Sequence, residues 1–319
     1  MKIAILSDIH SNVVALEAVL EDLGQQGKTD HILVTGDMFA FGAAPNEVLA
    51  LLRQLPRARF LRGNAERYLL EGTYPTARNG YDWRQELLLT FRWTAEQLGP
   101  QGLAFLTLLP SSLLIPIHDR LLLAVHGSPR CDEEGLTLQT EASEFEQMKL
   151  DPRIAIIACG HTHIPMDRRV GHLRVVNAGS VGIPFDGDPR ASYALISTEP
   201  LESGGPIQVE IRRVTYDVEK AVGHFYARKC PAADISAHNL GLAVPLGIVS
   251  SIPRRCAERA LASTPSRHFF YHIHSSSMSP IRTVSPGRTP ASRKASNTPI
   301  ASSTRCARCT ASWYSHIVC

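Results

Sequence analysis

Five short polar clusters in the first 163 residues carry side chains that could hold metal ions. They are Asp8-Ile-His10, Gly36-Asp37, Gly63-Asn64, His126-Gly127 and Gly160-His-Thr-His163. Imidazole suits Zn, Fe, Mn or Ni, whereas carboxylate and amide oxygens suit harder cations. The clusters supply seven ligands, which exceeds what one tetrahedral ion needs. The set therefore suits two divalent ions that share a bridging carboxylate.

Two ions held in this way could catalyse displacement at phosphorus. Metals about 3.5–4 Å apart can clamp the attacking and leaving oxygens, and they lower the pKa of a bound water. Glycine accompanies four of the clusters, and it lets the backbone approach a metal or a phosphate closely. The Asp-x-His and His-x-His spacings send both side chains to one side of an extended segment. These features predict a two-metal hydrolytic site.

Apolar runs precede the clusters and predict the strands that position them. These runs are Lys2–Leu6, His31–Val34, Ala58–Leu61, Arg120–Val125 and Ile154–Ala158. Helical spacing in residues 12–23 and 45–55 separates the first three runs, so this order predicts a parallel, helix-covered sheet. Strands that share a direction end at one edge, where ligands bind in open α/β sheets. Scattered motifs are therefore expected to form one site.

The rest of the chain up to residue 228 continues this mixture of strands and helices. Residues 82–109 have helical spacing, and residues 217–228 predict a closing helix with Asp217 as its N-cap. Further strands are predicted at Leu173–Val176, Ser192–Ile196 and Gln208–Arg212.

The five motifs, in this order along the chain, resemble those of the calcineurin-like metallophosphoesterase superfamily. The segments Ser7-Asp-Ile-His-Ser-Asn12 and Asn177-Ala-Gly-Ser-Val-Gly182 are similar to its small prokaryotic phosphodiesterase branch. The resemblance covers about residues 1–230 and implies an α/β (α+β) fold. The implied fold is a four-layer α-β-β-α sandwich of two mixed sheets, with a two-metal site at the carboxyl ends of strands.

The resemblance also implies a role for each ligand. One metal would be held by Asp8, His10 and His163, the other by Asn64, His126 and His161, with Asp37 bridging them. A metal-bridging hydroxide would then hydrolyse phosphodiesters or phosphomonoesters. The expected cofactors are two divalent ions, and the sequence does not choose among Mn, Fe, Ni and Zn. Asp37, His126 and Glu66 are the residues expected to act in catalysis.

One position departs from the family pattern. Many members have a histidine after the asparagine ligand, which is thought to protonate the leaving group or steady the phosphoryl oxygens. Here Ala65 follows Asn64, and Glu66 is the nearest carboxyl candidate for the acid. General acid catalysis is worth about 10²–10⁴-fold where it is needed, so activity on poor leaving groups is in doubt. The alternative role for Glu66 is to hydrogen-bond the loop.

The net charge and the length of the apolar stretches limit the kinds of molecule that such a site is expected to bind. A net charge of +3 is too small to imply a nucleic-acid or membrane partner, and the apolar stretch at 240–252 is too short for a membrane span. We expect a small phosphorylated substrate, nucleic acid only as a substrate, and a cytoplasmic location, with the oligomeric state open. The alternative function is a non-catalytic metal-binding interaction scaffold on the same fold, as in the retromer subunit of this superfamily.

The composition changes near the end of the chain. After Glu258 the remaining 61 residues contain eight Lys or Arg, no Asp or Glu, and many Ser, Thr and Pro. A single Cys306-x-x-Cys309 with nearby histidines is a weak zinc signal. We therefore predict a metallophosphoesterase domain at 1–245 and a disordered or non-native tail at 246–319. A nucleic-acid binder acting through this tail is a third hypothesis, and it predicts salt-sensitive affinity.

Overall fold

The computed structural model describes residues 1–72, 84–198 and 207–244, and the predicted tail lies outside these ranges. Strands and helices alternate along most of the described chain. In order, they are β1 (Lys2–Leu6), α1 (Val13–Gln25), β2 (His31–Val34), α2 (Pro45–Gln54), β3 (Ala58–Phe60), α3 (Asn64–Glu71), α4 (Arg84–Thr107), β4 (Ser112–Ile117), β5 (Arg120–Val125), α5 (Ala142–Gln147), β6 (Ile154–Cys159), β7 (Met166–Val170), β8 (Leu173–Asn177), β9 (Ala191–Ser197), β10 (Gln208–Val214), α6 (Val218–Ala227) and α7 (Ala233–Leu242).

The strands form two five-stranded mixed sheets. The first has the order β10-β9-β1-β2-β3, and the second has the order β4-β5-β6-β8-β7. In the first sheet β1, β2 and β3 are parallel, whereas β9 and β10 complete it in the antiparallel sense. In the second sheet β5, β6 and β8 are parallel, with β4 and β7 antiparallel at its edges. Each sheet therefore delivers parallel strand ends to one edge.

The two sheets pack face to face, and helices cover their outer faces. Alternation along β1 shows this, because Ile3 and Ile5 enter the core between the sheets with residues such as Ile156. The intervening Ala4 and Leu6 join the core formed with the helices on the other face of the first sheet. Phe145 of α5 contributes to a third core on the outer face of the second sheet. The four-layer α-β-β-α sandwich is confirmed.

Most of the elements predicted from the sequence are present, with ends shifted by one or two residues. The N-cap prediction at Asp217 is confirmed, because its side chain accepts a hydrogen bond from the backbone of Lys220. The parallel order predicted for the first three strands is confirmed in β1, β2 and β3, and the antiparallel β9 and β10 make this sheet mixed, as the resemblance implies. The long helix α4 is broken at Gly99, where φ is 60° and Pro100 follows. Within the described ranges, no helix is both long and apolar enough to cross a membrane.

Candidate metal centre

The carboxyl ends of five parallel strands bring the predicted ligands together. Asp8 and His10 follow β1, Asp37 follows β2, and Asn64 follows β3 as the first residue of α3. From the second sheet, His126 follows β5, and His161 and His163 follow β6. Backbone hydrogen bonds join these ends, for example from Gly160 N to His126 O at 2.8 Å. All seven predicted side chains lie in one buried cluster.

The backbone at the cluster is strained in a way that is uncommon away from functional sites. Five of the seven residues have left-handed φ values: 54° at Asp8, 47° at His10, 51° at Asp37, 71° at His161 and 58° at His163. This region costs a residue other than glycine about 1–2 kcal/mol. Neighbouring bonds such as His10 N to Asp37 O at 3.0 Å hold the conformation. Such strain clusters where function requires a fixed geometry.

Two of the motif glycines are needed because other atoms occupy the space of a side chain. A Cβ at Gly63 would lie 2.1 Å from Asp37 Oδ1, and one at Gly160 would lie 1.8 Å from Ser7 Oγ. Any larger residue would push the ligand-bearing loops apart. The close approach at both positions is to neighbouring loops, and approach to a metal or a phosphate stays a prediction.

Asp8, His10 and His163 form the first ligand group. The Nε2 atoms of His10 and His163 lie 3.2 Å apart. Asp8 Oδ1 lies 3.3 Å from His163 Nε2 and 3.9 Å from His10 Nε2. Three donor atoms thus converge on one point from three different directions.

Asn64, His126 and His161 form the second ligand group. Asn64 Oδ1 lies 2.9 Å from both His126 Nε2 and His161 Nδ1. The two imidazole nitrogens are 3.2 Å apart. An amide oxygen and two imidazole nitrogens therefore converge in the same manner as the first group.

Asp37 lies between the two groups. Its Oδ2 is 3.7 Å from His10 Nε2 in the first group, and its Oδ1 is 3.4 Å from His126 Nε2 in the second. Oδ1 also accepts a hydrogen bond from the backbone N–H of Ala65 at 2.8 Å. Each carboxylate oxygen thus faces a different ligand group.

Backbone carbonyls fix the orientation of all four histidine rings. A carbonyl oxygen can only accept, so the ring nitrogen that faces it carries the hydrogen and the other nitrogen keeps its lone pair. Such partners set the tautomer of a metal-binding histidine. The pairs are His10 Nδ1 with Phe39 O at 3.2 Å, His126 Nδ1 with Thr35 O at 2.8 Å, His161 Nε2 with Glu133 O at 3.1 Å, and His163 Nδ1 with Ile183 O at 2.5 Å.

Burial and mutual charge set the ionisation of the cluster. Burial opposes the ionisation of Asp8 and Asp37, but the neighbouring imidazoles outweigh it and lower the pKa of both carboxyls. Burial and the charge of His163 lower the pKa of His10 to about 4. Burial and the charge of His126 lower the pKa of His161 to about 3. Burial disfavours the charged form of His126 too, yet Asp37 beside it raises its pKa to about 10.

The residues fit divalent metal ions. A cation needs deprotonated carboxylates and neutral imidazoles. The lowered pKa values of Asp8, Asp37, His10 and His161 provide both at neutral pH, whereas a bound cation would displace the proton that Asp37 favours on His126. Asp8 Oδ1 is fully buried and has no hydrogen-bond partner among the residues that the structure describes, which is costly unless a cation satisfies it. Ligand atoms of Asp8, His10 and His163 lie within 4.8 Å of one another, as do those of Asp8, Asp37 and His126. Oxygen and imidazole donors together suit Mn, Fe, Ni or Zn.

Glu66 lies beside the site, but its carboxylate is turned to the backbone. Oε2 accepts hydrogen bonds from the N–H groups of Asp37 and Gly63 at 2.8 Å, and Oε1 accepts from Met38 at 2.8 Å and Phe39 at 3.2 Å. The residue is fully buried. Burial and the charge of Asp37 raise its pKa to about 7, although the backbone donors favour the carboxylate. These contacts favour the loop-holding role over that of a general acid.

A second support for the ligand groups begins at Arg67, and no sequence motif indicates it. Its guanidinium contacts Asp132 at 2.7 and 2.9 Å and Glu133 at 2.6 Å, and Tyr68 donates to Glu133 at 2.7 Å. The carbonyl of Glu133 is the one that orients His161. Helix α3 therefore begins with one ligand, Asn64, and one turn later fixes the loop that orients another.

Other residues noted near the motifs have structural partners. Asn12 caps α1 by accepting from Ala15 N at 3.1 Å and donates to Gly182 O at 3.0 Å. Ser180 donates to the carbonyl of Asp8 at 2.7 Å, so it supports the first ligand group. Arg190, a few residues after the segment at 177–182, forms an ion pair with Asp188 at the surface.

Comparison with known proteins identifies the class that this fold and site define. Residues 1–200 match the calcineurin-like phosphoesterase superfamily domain, so the chain belongs to that superfamily. Membership supports metal-dependent phosphoesterase activity in general terms.

Individual relatives agree with this assignment. The chain is 30% identical over 246 residues to an uncharacterized protein from Methanocaldococcus jannaschii, covering 72% of this chain and 93% of that one. It is similar to a metallophosphoesterase crystal structure from Sphaerobacter thermophilus, with a TM-score of 0.60, 28% identity, and coverage of 76% of this chain and 99% of that one. A hypothetical protein from Pyrococcus horikoshii shares the fold, with a TM-score of 0.63, 24% identity, and coverage of 75% and 97%.

Proposed function

We propose that the protein is a two-metal phosphoesterase that hydrolyses phosphodiesters or phosphomonoesters. The observation that carries the proposal is the position of Asp37, whose two oxygens face two separate ligand groups. Asp8, His10 and His163 would hold one divalent ion, and Asn64, His126 and His161 the other. Bound ions would polarise the phosphoryl oxygens and lower the pKa of water.

The protein's own residues contribute position and charge rather than proton transfer. Carbonyls hold the imidazoles so that one lone pair of each faces the cluster. Glu66 holds the Asp37 loop through three backbone hydrogen bonds and accepts a fourth from the N–H of Gly63, which would keep the bridging carboxylate in place. Pre-organised groups of this kind need no rearrangement as charge develops during reaction.

The substrate is proposed to be a small phosphorylated molecule, with nucleic acid only as a substrate. The ions are proposed to be Mn, Fe, Ni or Zn, whose donor preferences all match imidazole and carboxylate. A domain ending near residue 245 and a cytoplasmic location stay sequence-based predictions.

Metal analysis combined with a chromogenic diester assay tests the proposal. The full chain is stripped with chelator and reloaded with each of the four ions, and turnover of bis(4-nitrophenyl) phosphate is measured. We expect about two ions per chain and activity that is lost on stripping and returns on reloading. Stoichiometric metal without turnover of any ester would instead support the interaction scaffold.

A further inference from the structure

Two phenylalanine rings flank the first ligand group. The ring of Phe41 contacts His10 edge-on at a centroid distance of 5.4 Å, and Phe185 stacks on His163 at 4.3 Å and 14°. The two histidine rings are themselves 4.9 Å apart. Phe41 and Phe185, which we call the phenylalanine rim, are both half-buried. The first ligand group therefore has an apolar ring on either flank.

The conformation of Phe41 is costly and held by its neighbours. Ala40 and Phe41 have φ values of 67° and 60°, which is uncommon for a bulky residue. Phe91 contacts Phe41 at 5.5 Å, and Tyr68 contacts Phe91 at 5.6 Å, so the ring is supported from behind. Strain of this kind persists where the surrounding structure fixes it, and it clusters at ligand-binding positions.

The surroundings of Ala65 support the ring of Phe41 from the protein interior. Ala65 is fully buried in a cluster with Ala40, Tyr68 and Phe91, against which Phe41 packs. The position that carries a polar histidine in many family members is therefore enclosed by apolar side chains. The half-buried ring of Phe41 is the part of this packing that lies beside the first ligand group.

We propose that the phenylalanine rim binds an organic substituent of the substrate, so that the site prefers phosphodiesters with an aromatic group. The inference rests on the proposed function and names its substrate class. Binding sites combine apolar and aromatic walls with a few polar groups that fix orientation. Here the ions held by the two ligand groups would bind the phosphate, and the rim would supply an aromatic wall for stacked or edge-on contact.

Two nitrophenyl diesters test the preference because they share a leaving group. Phenyl 4-nitrophenyl phosphate and methyl 4-nitrophenyl phosphate differ only in the retained substituent, so leaving-group protonation is the same for both. We expect the wild type to favour the phenyl ester in kcat/KM by about tenfold, which is typical for an apolar contact in a site. Phe41→Ala and Phe185→Ala should reduce that ratio towards one, mainly by raising KM for the phenyl ester.

A matched control variant and the metal content separate substrate binding by the phenylalanine rim from a general effect on packing. Phe105 is also half-buried, but it pairs with Phe60 at 5.8 Å, and Phe105→Ala should leave the ratio unchanged. Metal content of each variant shows whether the ligand groups are intact. If Phe185→Ala does not fold, Phe185→Leu replaces it, because it keeps apolar volume but removes the stacking face.

Calorimetry with phenylphosphonate and methylphosphonate tests the rim without turnover. Manganese-loaded wild type should bind the phenyl compound more tightly, and the two rim variants should lose that difference. Equal binding and equal turnover of the phenyl and methyl compounds would overturn the inference while leaving the phosphoesterase proposal standing. Tighter phenyl binding without turnover of any ester would support the rim and contradict the proposed function.

Discussion

His161 Nε2 lies 3.1 Å from the carbonyl oxygen of Glu133, so a loop of the second sheet orients a ligand of the candidate metal centre. That loop is tied to helix α3 by Arg67, whose guanidinium contacts the side chains of both Asp132 and Glu133. Mutating a residue that orients a metal ligand typically lowers metal affinity by about 10–100-fold, and we expect an effect of this size here. Arg67 is therefore a positioning residue for His161.

Replacing Arg67 with Met should weaken metal binding at the second ligand group. The change keeps a long apolar stem but removes the ion pairs, so the Glu133 loop is no longer fixed. We expect affinity for one of two ions to fall by about 10–100-fold, measured by calorimetry and metal stoichiometry. Arg153→Met removes an exposed pair with Asp151 and should have no effect on metal binding. Equal metal affinity in wild type and Arg67→Met would rule out the positioning role.

Asp37→Asn should remove the charge shared by both ligand groups. An amide keeps the shape of the side chain, and asparagine tolerates the left-handed φ of 51° at this position. We expect kcat to fall by at least about 100-fold, with loss of metal from one or both groups. Near-normal turnover in the folded variant would contradict the bridging assignment.

Glu66→Gln separates the two roles considered for this residue. One amide oxygen cannot replace two carboxylate oxygens, so the loop loses charged hydrogen bonds worth about 1.5–3 kcal/mol each. We expect the free energy of unfolding to fall by about 3 kcal/mol and turnover to drop equally for all leaving groups. A loss confined to esters with poor leaving groups would instead identify Glu66 as the general acid.

Turnover should fall steeply as the leaving-group pKa rises. A nitrophenolate departs as a stable anion, whereas an alkoxide needs a proton that Ala65 cannot supply and that Glu66 does not direct at the cluster. A series of esters with graded leaving groups measures the slope for the wild type. A flat dependence would mean that another group donates the proton.

Ala65→His is not expected to restore that proton donor by itself. Ala65 is fully buried against Tyr68 and Phe91, so a larger side chain overpacks the cluster. Such overpacking lowers the free energy of unfolding by about 1–3 kcal/mol, so the melting temperature of the variant should fall. An undiminished melting temperature with faster turnover of alkyl esters would show that the imidazole reaches the site.

Deleting residues 257–319 should leave the melting temperature and turnover nearly unchanged. The ligands all lie before residue 164, and the last described helix, α7, ends at Leu242. The deletion also removes most of the basic residues that a nucleic-acid-binding role would use. A large fall in melting temperature would show that the tail contributes to the folded domain.

The sequence by itself determined most strands and the candidate ligands that follow them. Strand periodicity, the glycines and the positions of Asp8, Asp37 and His161 are local properties of the chain. Because parallel strands share an edge, these properties predict that the polar clusters within one sheet lie together, whereas the packing of the two sheets brings both sets to one place.

The tertiary structure decided how those ligands are held. The four carbonyls that orient the histidines belong to residues such as Thr35 and Glu133, and every residue type has a carbonyl, so no side-chain pattern marks them. The antiparallel β9 and β10 depend on chain direction after long connections, which periodicity does not encode. Phe41 reads as an ordinary apolar residue in the sequence. Only packing against Phe91 and His10, distant in the chain, places its ring beside the candidate metal centre.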